Sequence, residues 1–292
     1  MSAATRSDQK ATGDVVTSYA TALTRTVSVD GVDFAYRELG PATGVPVIFL
    51  THLAAVLDNW DPRVVDGIAA QHRVIAFDNR GVGASIGSTP KTIEAMAHDA
   101  VAFVRALGLE QVDLLGFSMG GMIAQLIAAD EPQLVRKVIL AGTGPAGGAG
   151  ITNVTRLSHF DTLRGLLTLQ DPKQFLFFTR TLEGRRAGKE FLARLKERTE
   201  HRDKAISLRS YGAQLKAIHR WGRHQPADLS VIHQPVLVAN GDNDRMVPTS
   251  NSVDLAQRLP NAELVIYPDA GHGGIFQFHE QFVAKALQFL AK

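Results

Sequence analysis

The chain has 292 residues, 45% of them hydrophobic and 21% charged, enough for one large α/β domain or a core with an inserted subdomain, and too apolar for a disordered chain. A formal net charge of +2 gives no overall attraction to nucleic acid. The lack of cysteine excludes disulfides and thiolate metal sites, no apolar run has the length of a membrane span, and the first residues lack the apolar stretch of a secretory signal, so a cytoplasmic protein is expected.

Residues 1–23 are small and polar and read as a loosely ordered leader, with at most one short helix over 15–22. Alternating segments at 24–29 and 33–38 flank Asp30-Gly31, which predicts a β-hairpin. Pro46-Val47-Ile48-Phe49-Leu50 predicts a buried strand, followed by a loop containing Trp60 and a helix over 62–70. Arg73-Val74-Ile75-Ala76-Phe77-Asp78 predicts the next strand and opens into Asn79-Arg80-Gly81-Val82-Gly83-Ala84-Ser85. A helix over 92–107 carries Ile93, Met96, Ala97, Val101, Val104 and Leu107 on one face, and Gly108 ends it.

The next segment carries the chemistry. Val112-Asp113-Leu114-Leu115 reads as a buried strand and Met122 to Ala129 as a buried helix, with Gly116-Phe117-Ser118-Met119-Gly120-Gly121 between them. A G-x-S-x-G run at a strand-to-helix turn holds its serine in a strained conformation with the hydroxyl exposed. Gly116 and Gly120 flank it because a Cβ there would strike the facing backbone. The head of the helix supplies N–H donors beside it.

A strand over 137–141 follows, and then the pattern breaks. Gly144 to Gly150 is turn-rich, and residues 151–226 read as helices near 153–169, 172–182, 185–201 and 203–221. This insert holds more than twice as many Lys and Arg as Asp and Glu. A solvated face and attraction of an anionic substrate both account for such an excess. Alternation resumes with a strand over 235–240, a helix over 249–258, a strand over 263–267 and a last helix over 275–290. The expected architecture is therefore a doubly wound, mostly parallel sheet over 24–150 and 227–292. Its helical cap, 151–226, covers the carboxyl edge of the strands, where ligands bind in such sheets.

An exposed serine needs a base, and a histidine base needs an orienting acid. Both are available in loops after later strands: Asp242 or Asp244 after 235–240, and His272 after 263–267. Asp269, a near neighbour of His272, is read as a turn residue. His279 is read as a surface residue of the last helix.

Together, Asp78 to Ser85, Gly116 to Gly121, Gly241-Asp242-Asn243-Asp244-Arg245-Met246-Val247-Pro248 and Gly271-His272 resemble the α/β-hydrolase fold family, in its cap-bearing serine esterase, lactonase and cofactor-free haloperoxidase-like branch. The resemblance spans about residues 24–290. It implies Ser118 as nucleophile, His272 as base and Asp244, just before Arg-Met-Val-Pro, as the acid. It also implies an oxyanion hole from the backbone N–H groups of Met119 and Leu53. Here the sequence departs from the family, because Thr51-His52 stands where His-Gly is usual. Dehalogenases and epoxide hydrolases of this fold carry aspartate at the elbow, so Ser118 argues against both. The expected activity is cleavage of a small-molecule ester or lactone, with no metal or organic cofactor. The alternatives are perhydrolysis or carbon–carbon bond hydrolysis on the same triad, or a binding protein without turnover. Leu166, Leu167, Phe175, Phe177, Phe178 and Trp221 are candidates for an apolar pocket, or for internal packing of the cap.

Overall fold

The computed structural model describes residues 18–292. The expected hairpin forms as β1 (Arg25–Val29) and β2 (Val32–Leu39). Asp30 and Gly31 both take positive φ, 49° and 77°, the backbone a type I′ turn requires. Then come β3 (Val47–Leu50), α1 (Pro62–Ala69), β4 (Val74–Phe77) and α2 (Ile93–Ala106). They lead to β5 (Val112–Phe117), α3 (Met119–Asp130) and β6 (Val135–Ala141). Four helices follow: α4 (Val154–Thr168), α5 (Lys173–Phe177), α6 (Leu182–Arg194) and α7 (Leu208–Arg223). The chain closes with β7 (Val236–Gly241), α8 (Ser250–Arg258), β8 (Ala262–Tyr267), α9 (Gly274–Gln277) and α10 (His279–Ala291).

The eight strands form one sheet in the order β1-β2-β4-β3-β5-β6-β7-β8. Only the β1–β2 and β2–β4 pairings are antiparallel, so the sheet is doubly wound and mostly parallel. Alternation along each strand sorts the core into two layers. Ile48, Leu50, Leu114, Val138 and Val238 face α2 and α3. Val47, Phe49, Leu115, Ile139 and Leu237 face α1 and α10. Both faces are covered, so the central strands read as unbroken apolar runs. Among the described residues no helix is long and apolar enough to cross a membrane.

Several elements differ from the sequence expectation. The helix expected over 185–201 runs over Leu182–Arg194, and the one expected over 203–221 runs over Leu208–Arg223. The helix expected over 172–182 stops at Phe177, and Phe178 is extended at φ −120° and ψ 153°. The two consecutive rings, Phe177 and Phe178, are both buried and both pack against Phe191 of α6. The last helix breaks at Phe278, φ −108°, whose ring stacks on Tyr267 at 5.2 Å. The leader is packed where it is described. Tyr19 is buried, its hydroxyl donates to Leu57 O at 3.0 Å and its N–H to Asp66 at 2.6 Å. Residues 1–17 of the expected leader, and so the start of the helix expected over 15–22, lie outside the described residues.

Candidate active site

Ser118 is the single residue between β5 and α3. It sits at φ 56° and ψ −115°, a conformation that costs a non-glycine residue of order 1–3 kcal/mol. Surrounding contacts hold it there. Its N–H donates to Ala141 O at 2.8 Å, and its carbonyl accepts from Gly121 N at 2.9 Å. The turn is tight enough that a Cβ on Gly120 would run into Leu50 O, and one on Gly116 into Gly120 O. That is the physical reason for both glycines.

The loops after β7 and β8 bring Asp244 and His272 together. His272 Nδ1 donates to Asp244 Oδ2 at 2.7 Å, and both side chains are buried. Asp244 Oδ1 accepts from the N–H groups of Met246 and Val247 at 2.8 and 3.0 Å. The carboxylate is therefore fixed by its own loop, and it sets the tautomer of the imidazole, leaving Nε2 as the acceptor. Asp242 is exposed and accepts instead from Asn243 Nδ2 and Ala270 N. Asp269 bonds Thr179 and Thr181, away from His272. His279 is half-buried rather than on the open surface, because α10 packs on α1.

Ser118, His272, Leu53 and Met246 line one cavity of about 280 Å³ with Val154, Ser158, Leu176, Phe177 and Tyr211 of the segment between β6 and β7. That segment therefore supplies part of the wall of the Ser118 cavity. Among the described residues the Ser118 hydroxyl makes no side-chain hydrogen bond, and its link to His272 is open in this conformation. Met119 N–H, at the first position of α3, has no acceptor within the helix. Leu53 N–H has none among the described residues.

The loop between β3 and α1 departs from expectation in how it is built. His52 is buried, its Nδ1 donating to Leu53 O at 2.8 Å. Its ring meets Phe117 and Phe177 edge-on, at 5.3 and 5.2 Å between centroids. Burial lowers its pKa to about 3, so it stays neutral. Its Nε2 is enclosed without a partner among the described residues. The side chain packs between aromatic rings and also lines the cavity that holds Ser118 and His272. Ala54 then takes positive φ, 63°, and its N–H donates to Gln214 Oε1 of α7 at 2.8 Å.

The model of the alpha/beta hydrolase fold matches residues 45–278. The chain belongs to the α/β-hydrolase fold family. It is 40% identical to an alpha/beta hydrolase fold protein from Chitinophaga pinensis, with a TM-score of 0.89 over 93% of this chain and 98% of that one. It is 30% identical to a protein named as a carbamate hydrolase, RutD, from Caulobacter sp. (strain K31), over 89% of this chain and 97% of the relative. It is 29% identical to a non-heme chloroperoxidase of Streptomyces lividans, over 84% and 91%. This α/β-hydrolase is accordingly an enzyme of the hydrolase class.

Not every residue around the hydrolase site was legible in the sequence. Of the six apolar candidates only Phe177 lines the cavity. Leu166 and Leu167 are exposed, and Trp221 is buried with its indole N–H donating to Gly144 O at 3.1 Å. Asp78 bonds Leu57 N at 2.9 Å and Ala84 N at 3.1 Å, and Arg80 pairs with Asp99, which fixes the loop after β4. Gln214, which pins the Ala54 turn, and Ser158 and Tyr211, which line the cavity, carried no sequence signal. Each sits on a helix whose seating over the sheet is a tertiary fact.

Proposed function

We propose that this α/β-hydrolase cleaves a carboxylic ester or lactone through an acyl-enzyme on Ser118, with His272 as base and Asp244 as its orienting acid. The observation that carries the reading is the buried 2.7 Å His272–Asp244 bond opening on the same cavity as a strained serine. Ser118 attacks the carbonyl while His272 Nε2 takes its proton. The resulting oxyanion rests on the N–H groups of Met119 and Leu53. His272 then protonates the leaving alcohol and activates the water that releases the acid. No cofactor takes part in this scheme. A cavity of about 280 Å³ suits a small substrate, since larger ligands occupy upwards of about 300 Å³.

An activated p-nitrophenyl ester should give a burst of about one equivalent of alcohol when deacylation is slow. A serine-directed phosphonate should label Ser118 alone, and Ser118→Ala should abolish labelling and hydrolysis together. Asp244→Asn should lower kcat by about 10⁴-fold through loss of tautomer control, and Asp242→Asn far less. An alanine variant hydrolysing near the wild-type rate removes the elbow from the chemistry. The chloroperoxidase relative, and a 26% identical relative from Pseudomonas sp. named as a 2-hydroxy-6-oxononadienedioate hydrolase, favour a second reading. In it the same serine serves perhydrolysis or cleavage of a carbon–carbon bond beside a ketone. Substrate profiling separates the two.

A further inference from the structure

A second cavity, of about 710 Å³, opens between α5, α6 and the loops after β7 and β8. It is distinct from the catalytic cavity. The two share Leu176 as a wall, and Gly271, which lines the larger one, directly precedes His272. Five cations line it, Arg164, Arg180, Arg185, Lys189 and Arg245, against one carboxylate, Asp269.

The charges are unevenly matched. Arg245 is spent on the buried Asp161 and on Phe175 O. Asp269 is spent on the hydroxyls of Thr179 and Thr181, at 3.0 and 2.8 Å. The other four cations pair with no carboxylate among the described residues. For Arg185 and Lys189 the arrangement of α6 is the reason. Glu183 and Glu190 both pair with Arg186, at 3.3 and 3.5 Å. Arg185 and Lys189, four residues apart and so on one face, line the cavity without them. Arg164 lies over the Phe175 ring at 4.0 Å. Stacking of this kind holds the guanidinium plane and leaves its N–H edge free for oxyanions.

Four cations gathered at one cavity repel one another, and a bound anion relieves that repulsion. Gln170, Gln174 and Asn243 add amide donors, while Phe175, Leu176 and Phe178 supply an apolar wall. The volume lies in the range of organic ligands and well above that of a lone inorganic ion. We infer that this cavity is a binding site for a small organic polyanion, a compound with two or more carboxylate or phosphate groups on an apolar body, separate from the ester site.

The test titrates the full chain by calorimetry with benzene-1,3,5-tricarboxylate and, separately, with 1,3-phenylene bis(phosphate), each at the same series of ionic strengths. At least one probe should bind saturably, one per chain. Its Kd should rise with added salt and rise tenfold or more in Arg180→Gln/Lys189→Gln. Those side chains are exposed, and an unchanged melting temperature without probe confirms that the fold is kept. Should the double variant fail to fold, Arg185→Gln gives the same comparison. The ratio of the two Kd values assigns carboxylate or phosphate. Absence of saturable binding by both probes, or equal affinity in wild type and variants, overturns the inference. Neither result depends on the ester reading, since nothing is hydrolysed.

Discussion

His52 is buried in the loop after β3, and its environment makes a pH prediction. Burial lowers its pKa from 6.5 to about 3, so the folded state refuses a proton that the unfolded chain accepts between those values. The stability this neutral ring contributes is complete above pH 6.5 and is lost as pH falls towards 3. The slope from this one group reaches about 1.4 kcal/mol per pH unit. Replacing it with a ring that cannot titrate, His52→Phe, should flatten the fall in unfolding free energy between pH 6 and 4, measured by urea denaturation. An unchanged slope would place the acid sensitivity elsewhere. Gln214 acts at the same scale by holding the strained Ala54 turn beside the Leu53 N–H.

At the scale of elements, the β5–α3 elbow depends on backbone approaching backbone. A Cβ on Gly120 meets the carbonyl of Leu50, which is fixed in the sheet and cannot yield. Gly120→Ala should therefore destabilise by about 3 kcal/mol and displace Ser118. Gly212, in α7, is the control, because a Cβ there meets nothing within 4 Å. Gly212→Ala should stabilise by about 0.5–1 kcal/mol through helix propensity alone. Thermal denaturation of the two variants decides it, and equal shifts would remove the close approach as the cause. The short α5 belongs here too. Its end lies against the His272 loop, with Gly273 N–H donating to Phe177 O at 2.8 Å.

For the whole molecule, ion pairs fasten the segment between β6 and β7 to the rest of the chain. Arg194 of α6 grips the fully buried Asp61 with bonds of 2.7 and 3.0 Å and donates to Phe276 O. Arg37 of β2, itself buried, reaches Asp58 and Asp203, each at 2.8 Å. Burial raises the pKa of Asp203 to about 6. Removing one partner of a buried pair strands the other charge, which costs about 3–5 kcal/mol. Arg194→Met should therefore loosen α6, seen as faster amide hydrogen exchange across 182–194, while β5 and β6 keep their protection. Uniform acceleration across the chain would mean that the pair supports the fold as a whole rather than that segment.

The sequence by itself determined the strand and helix order, because burial on both faces imposes apolar runs and one-sided burial imposes helical periodicity. It also showed Ser118, Asp244 and His272 as candidates, since an elbow and its partner loops are local signals at strand ends. It left Asp242 and Asp244 competing; in the structure the N–H groups of Met246 and Val247 close round the Asp244 carboxylate. The packing of Tyr19, the place of His52 in the cavity wall, the Gln214 bond to Ala54 and the basic cavity were decided only by the tertiary structure. Each joins residues far apart in the chain, 160 positions for Ala54 and Gln214. Such contacts arise from how helices seat on a sheet, and seating leaves no period in the sequence.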